Sequence, residues 1–148
     1  MYWNIALIHV QTLKERCQKD LASDNYEGVI TKSRTMLEEV FIYVIGEEYD
    51  RREYKGNIGK MFDKVKSICN INKDNVPAPI ENITTCLNSI VNDIAQIRKD
   101  YSESHGIGKT RVVLSEAETM LVINSSITLA EYVLSVYSGS SLNERTVK

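Results

Sequence analysis

The chain has 148 residues, of which 43% are hydrophobic and 26% are charged, and its formal net charge is −2. This length fits a single domain, and the composition excludes an intrinsically disordered chain. The slightly negative charge excludes a protein that binds nucleic acid through its overall charge, so any RNA or DNA site must be a local patch. Only two prolines and seven glycines interrupt the chain, which favours long helices.

The three cysteines, Cys17, Cys69 and Cys86, are widely spaced and form no CxxC pair. Together with only two histidines they do not complete a zinc site, so we expect buried free thiols in a reducing cytoplasm, and no metal or cofactor. The N-terminus lacks the basic start of a signal peptide. No run approaches the roughly 18 apolar residues of a membrane span. We therefore predict a cytoplasmic protein that does not enter a membrane.

Apolar residues recur at helical spacing in five segments of the chain. The segments are 3–21, 24–46, 58–69, 79 to about 105, and 115–137. In the second, Asp24 and Glu27 form the pattern of a capping box, and Gly46 is the predicted end. Residues 50–57 are polar and predict a turn. Pro79 is a favourable first residue for the fourth helix.

The last two segments have the most informative patterns. The fourth carries one apolar seam with 3-4-3-4-3 spacing: Ile80, Ile83, Leu87, Ile90, Ile94 and Ile97. The fifth opens with a capping box, Ser115 and Glu118, and is apolar on two faces, which indicates either a central helix or an oligomer interface. No segment shows the period-two alternation of a strand. We predict an all-α, five-helix, bundle-like domain over 1–137, with an N-terminal helix in 1–22, a core in 26–136 and a flexible tail in 138–148.

The charges are unevenly distributed along the chain. Residues 38–50 contain five acids and no base, whereas 51–66 contain six bases against two acids, a local +4. Residues 98–111 contain four bases against two acids, a local +2. Two interpretations stay open: an ordinary solvated surface, or a basic groove beside an acidic face. Arg34 and Glu38 have the i,i+4 spacing of an ion pair.

Arg98 and His105 are the residues most suited to chemistry. Seven residues turn a helix by ~700°, so both positions lie on one row, beside the Ile94–Ile97 seam. A guanidinium can hold a phosphate through two hydrogen bonds. A histidine can transfer protons to or from a 2′-hydroxyl or a leaving oxygen. This combination suits RNA cleavage without a metal, although the spacing alone is close to what chance supplies and also fits an ordinary surface ion pair.

The distance between the two residues limits how they can act. In a regular helix their Cα atoms are ~10 Å apart along the axis, so one phosphate does not easily meet both side chains of one chain. Either the helix loses its regular geometry between Ser102 and His105, or two copies of the helix pair and build a shared site. A two-fold dimer would provide the second arrangement.

Residues 97–108, with the sequence IRKDYSESHGIG, resemble the signature of the abortive-infection C-terminal (Abi-C) family of the HEPN superfamily, in which Arg is followed by four to six residues and His. Residues 33–40 resemble the early helix of that family, and 115–118 with 124–126 resemble its last helix. The likeness runs from Tyr26 to Val136 in the order of the family.

The resemblance implies a helical homodimer that cleaves RNA without a metal, in phage defence or in a toxin–antitoxin pair. Arg98 would hold the scissile phosphate and His105 would transfer the proton, both at the dimer interface. We expect further contacts to RNA from five residues: Arg34, Lys99, Ser102, Lys109 and Arg111. An antitoxin or another defence protein is the expected partner besides RNA.

Lys99 departs from the family pattern, which favours a polar residue, usually Asn, directly after the Arg. A lysine still donates hydrogen bonds to phosphate but lacks the acceptor of an amide. Two other functions therefore stay open. One is a non-catalytic helical dimer that acts as an interaction or regulatory module. The other is a simple nucleic-acid binder that uses the bases of 51–66.

Overall fold

The computed structural model of the protein describes residues 2–71, 76–103 and 114–140, with the backbone alone at 2–5, 101–103 and 140. The described residues form six α-helices, one 3-10 turn at Gly46–Glu48 and no strand. The helices are α1 Tyr2–Ala22, α2 Tyr26–Ile45, α3 Arg51–Tyr54, α4 Ile58–Cys69, α5 Ala78–Glu103 and α6 Glu116–Ser140. The predicted all-α fold is confirmed. The sixth helix is α3, a single turn inside the segment that the sequence predicted to be polar and non-helical.

The helix ends follow the capping chemistry of the sequence, with one correction. Ser115 and Glu118 form the predicted capping box of α6: the Ser115 hydroxyl accepts from the Glu118 amide at 3.0 Å, and the Glu118 carboxylate accepts from the Ser115 amide at 2.9 Å. The predicted cap of α2 at Asp24 is wrong. Asp24 occupies the turn with φ 58°, and Asn25 caps the helix by accepting from the Gly28 amide at 3.1 Å.

The centre of the domain is the pair α2 and α6. α2 contacts α1, α4, α5 and α6, and α6 contacts α1, α2, α4 and α5. Both apolar faces of α6 are buried, one through Ile127 and Leu134 and the other through Leu129 and Val133. Of the two interpretations of a two-faced helix, the structure supports a central position in the domain. The helix continues to Ser140, beyond the predicted start of the tail, and 141–148 lie outside the described residues.

The composition of α6 has a second consequence. Within the described ranges, residues Glu116–Gly139 are the one helical stretch that is long and apolar enough to cross a membrane. The sequence predicted that no segment is apolar enough to span a membrane, and this stretch corrects that prediction. Half of the stretch is buried inside the domain, and a core helix with two buried faces has the same apolar composition.

The buried face of α5 agrees with the predicted seam from Leu87 onward but not at its first two residues. Thr84, Leu87, Val91 and Ile94 are 3%, 9%, 0% and 3% exposed. In contrast, Ile80 and Ile83, which begin the predicted seam, are 42% and 61% exposed. Thr84 can be buried because its hydroxyl donates to the Glu81 carbonyl at 3.0 Å, which satisfies the polar group within the helix. The side of α5 that faces the core is therefore the row that leads to Arg98.

The cysteines match the prediction in part. Cys17 and Cys69 are buried free thiols, whereas Cys86 is free but exposed on α5. Cys86 lies between Thr85 and Leu87, and of these three positions only Leu87 lies on the buried face of the helix. The expectation of a buried thiol is therefore wrong for Cys86.

Candidate functional site

Arg98 lies on the last part of the α5 row that faces the core. Thr84, Val91 and Arg98 are spaced by seven residues, and two such steps differ by only ~40° from whole turns. The first two are buried and Arg98 is half-buried. The sequence placed Arg98 at the edge of an apolar seam. The structure shows that the row it shares with Val91 is on the packed side of α5 and approaches the surface at Arg98.

Lys99 follows on the exposed side of α5, so consecutive cations present a half-buried guanidinium and an exposed ammonium. Both residues have an interaction partner. Ser102 is in the last turn of α5, and its backbone is helical. The predicted loss of regular geometry between Ser102 and His105 therefore does not begin before Glu103. Three predicted site residues lie outside the described residues: His105, Lys109 and Arg111.

Arg34 has a structural position. Its guanidinium donates to the carbonyl oxygen of Gly56 and forms the predicted ion pair with Glu38 at 3.5 Å. The side chain is 19% exposed. These contacts tie α2 to the turn that follows α3. Arg34 is on α2, whereas Arg98 is on α5. The Gly56 carbonyl and the Glu38 carboxylate already satisfy the Arg34 guanidinium within the chain.

The acidic and basic segments meet directly. Lys64 on α4 pairs with Glu48 at 3.2 Å, and Lys66 pairs with Asp63 at 3.2 Å. Arg51, Arg52 and Lys55 are exposed around α3. Of the two interpretations of the charge pattern, the structure supports a groove. It lies between α4 and α5, and only Lys60 and Lys66 of the basic segment line it. In the described part of the chain, no group of three or more His, Cys, Asp or Glu side chains could hold a metal ion.

The sequence left a basic groove open as a possibility, but it did not predict that a polar groove lies between α4 and α5. It has a volume of about 480 Å³ and is lined by Lys60 and Lys66 of α4 and by Asn88 and Asn92 of α5, with Val91 at its base. Two signals in the sequence point to it in retrospect: the lysines of 51–66, and the i,i+4 spacing of the two asparagines on the helix that carries Arg98. The groove could not be located without knowing that α4 packs on α5.

The described residues form an all-helical domain in which half-buried Arg98 continues the packed row of α5. Comparison of the sequence with known families matches residues 9–137 to Abi_C, described as a HEPN-like domain. Because this match covers most of the 148 residues, the chain belongs to the Abi_C family. The suspected resemblance is confirmed and extends further toward the N-terminus than Tyr26. No curated protein and no solved structure matches the chain significantly.

Proposed function

We propose that the chain is a metal-independent endoribonuclease of abortive infection that acts in the cytoplasm as a homodimer. Its membership of a HEPN-like abortive-infection family gives the general class. The position of Arg98 carries the finer proposal. Arg98 continues the packed row of α5 and is half-buried, an arrangement in which the stem of a long cationic side chain can pack while its head reaches solvent. It stands seven residues before His105, within the spacing of the family motif.

In the proposed reaction the 2′-hydroxyl of the RNA attacks the adjacent phosphorus, and the bond from phosphorus to the 5′-oxygen breaks. The products are a 2′,3′-cyclic phosphate and a 5′-hydroxyl. The proton leaves the 2′-oxygen, and the departing 5′-oxygen receives one. His105 transfers a proton in this step, because an imidazole titrates near neutral pH. The guanidinium of Arg98 offsets the negative charge that grows on the phosphate oxygens.

The length of α5 supports a site shared by two chains. The helix is regular through Glu103, five residues beyond Arg98. Each residue advances a helix by ~1.5 Å, so a continued helix would separate positions 98 and 105 by ~10 Å along its axis. Pairing two copies of α5 about a two-fold axis brings Arg98 of one chain toward position 105 of the other. We propose that dimer, with RNA as substrate.

The products and the metal requirement provide a direct test. Purified protein is incubated with single-stranded RNA in the presence of EDTA, and the ends of the fragments are identified by mass spectrometry. We expect cleavage in EDTA, with 2′,3′-cyclic phosphate and 5′-hydroxyl ends. A substrate with 2′-deoxyribose at every position should resist cleavage, since it has no internal nucleophile. Cleavage of that DNA, or loss of RNA cleavage in EDTA, would contradict the mechanism.

A non-catalytic interaction module is the second candidate. The observation that favours it is the set of exposed apolar side chains on α5 and α6: Ile80, Ile83, Met120 and Leu121. Exposed apolar side chains of this size suit contact with another protein, such as an antitoxin or another defence protein. This candidate predicts a folded protein that leaves RNA intact under all conditions. Substituting Ile83 and Leu121 with Ser would then abolish binding of the protein partner without unfolding the domain.

A further inference from the structure

The groove between α4 and α5 contains two ammonium groups and one carboxylate. Lys66 donates to the side-chain oxygen of Asn88 at 2.7 Å, pairs with Asp63 at 3.2 Å and lies 5.3 Å from the ring centre of Phe62. Lys60 donates to the carbonyl oxygen of Glu53 at 3.1 Å. The Asp63 side chain is 72% exposed, so water screens its charge. The groove therefore keeps a local excess of positive charge that suits an anion.

The amide groups lie on the opposite wall. Asn88 and Asn92 are four residues apart and line the groove from one face of α5, together with buried Val91. Asn88 is held in place by Lys66. Asn92 is exposed, and no described residue forms a hydrogen bond with its carboxamide. A carboxamide offers both donors and an acceptor, which is the combination that reads the edge of a nucleobase.

Gly59 allows the two helices to approach at this point. A Cβ atom at position 59 would lie 2.8 Å from the Asn92 side-chain oxygen, which is closer than such atoms pack. The glycine therefore leaves room for the Asn92 carboxamide at the groove wall. Any larger residue would push that carboxamide aside.

We propose that this groove binds one nucleotide of the RNA strand, on the path that leads to the cleaved bond. Lys60 and Lys66 contact its phosphate, and Asn88 and Asn92 contact the edge of its base. The proposal rests on the proposed function and adds a binding site to it. Asn92 precedes Arg98 by six residues, which is ~9 Å along α5 and ~120° around it, so one strand that contacts both must wind partly around the helix. The volume of about 480 Å³ leaves room for a base and its phosphate.

The test compares the RNA affinity of chains that keep Lys60 and Lys66 with that of chains in which both are replaced. All binding variants carry His105→Ala so that the probe, a short fluorescein-labelled single-stranded RNA of mixed sequence, is not cut. The double variant Lys60→Gln, Lys66→Gln should bind it at least several-fold more weakly. The slope of log affinity against log salt should fall by about 0.7 for each phosphate that the double variant no longer neutralises. Lys64→Gln is the matched control, because Lys64 is on the same helix but pairs with Glu48 outside the groove. Lys64→Gln should change both the RNA affinity and the salt slope less than the double variant does.

Two further variants separate the groove from general charge and from folding. Asn92→Ala removes the exposed carboxamide without a change of charge. Gly59→Ala displaces it while adding a better helix former, so its melting temperature should not fall. Both should weaken RNA binding with an unchanged salt slope. Equal affinity of these variants, the double variant and Lys64→Gln would overturn the proposal, and so would a His105→Ala chain with an intact groove that does not bind the RNA.

A free nucleotide has the same base and phosphate as a nucleotide of the strand and could occupy the same groove. Competition between nucleoside monophosphates and the labelled RNA distinguishes the two ligands. Adenosine and uridine monophosphates should displace the labelled RNA only weakly, because a strand also contacts Arg98. Displacement by a monophosphate as efficient as by unlabelled RNA would overturn the assignment to a strand. The groove and the nuclease can also fail separately. His105-independent cleavage with lysine-dependent binding would refute the nuclease alone, whereas His105-dependent cleavage with normal binding by the groove variants would refute the groove alone.

Discussion

Arg98 lies one heptad beyond Val91 on the same row of α5, and between these two positions the row passes from fully buried to half-buried. The transition places a guanidinium where its stem can pack and its head can meet solvent, which is the usual arrangement of a long cationic side chain. It also means that the side of α5 that faces the core, rather than an outer edge, leads toward the proposed site. The groove at Asn88 and Asn92 lies along this same part of the helix.

A site shared by two chains predicts complementation. Arg98→Ala and His105→Ala should each be inactive as homodimers. When the two variants are unfolded together and refolded, half of the dimers combine one chain of each type, and each of these holds one intact site. About a quarter of wild-type cleavage should return under this random pairing. The measurement is the initial rate of RNA cleavage before and after mixing. No recovery despite mass-spectrometric evidence of mixed dimers would show that the site lies within one chain.

Arg34 should contribute to stability rather than to catalysis. Arg34→Ala removes the hydrogen bond to the Gly56 carbonyl and the ion pair with Glu38, and leaves that carbonyl without its charged donor. We expect a loss of about 2 kcal/mol in the free energy of unfolding, measured by urea denaturation. Glu38→Gln is the matched control and should cost below ~1 kcal/mol. Cleavage per folded molecule should be unchanged in both, and a selective loss in Arg34→Ala would support the prediction that Arg34 contacts RNA.

The capping box of α6 predicts a dependence of stability on pH. The hydrogen bonds from the amide and hydroxyl of Ser115 lower the pKa of Glu118. Because that pKa is lower in the folded state, the ionised carboxylate stabilises α6 above the usual titration range of glutamate, and this contribution is lost as the pH falls. The difference in unfolding free energy between wild type and Glu118→Gln should therefore shrink on acidification. A constant difference across that range would contradict the linkage. Ser115→Ala should cost about 1 kcal/mol at neutral pH.

The cysteines should differ sharply in reactivity. Burial raises the pKa of both Cys17 and Cys69 to about 11, so at neutral pH they stay protonated and enclosed. Cys86 is exposed on α5. Since the thiolate is the reactive form, iodoacetamide should alkylate native protein at Cys86 first. Peptide mapping should find one modified cysteine in native protein and three in urea. Rapid labelling of Cys17 or Cys69 under native conditions would show that the core opens around them.

The sequence predicted the helices well because the 3-4 spacing of apolar residues is a local signal. It also located the capping box at Ser115, since both partners lie within one turn. It was less successful where the outcome depends on packing. The isoleucine seam of α5 was selected on apolarity alone, but Thr84 satisfies its own hydroxyl and so can take the buried position. The role of Arg34 and the groove at Asn92 each require contacts between helices, which spacing along the chain does not contain.

The most direct test of the proposed function compares the only two histidines of the chain. His105→Ala removes the proposed proton-transfer group, whereas His9→Ala removes an exposed side chain of α1 that contacts Glu39 on α2. The initial rate of cleavage of single-stranded RNA is measured for both variants and for wild type. We expect His9→Ala to cleave at the wild-type rate and His105→Ala to be slower by about 100-fold or more, the usual effect of losing a general acid or base. Equal rates for His105→Ala and wild type would contradict the mechanism.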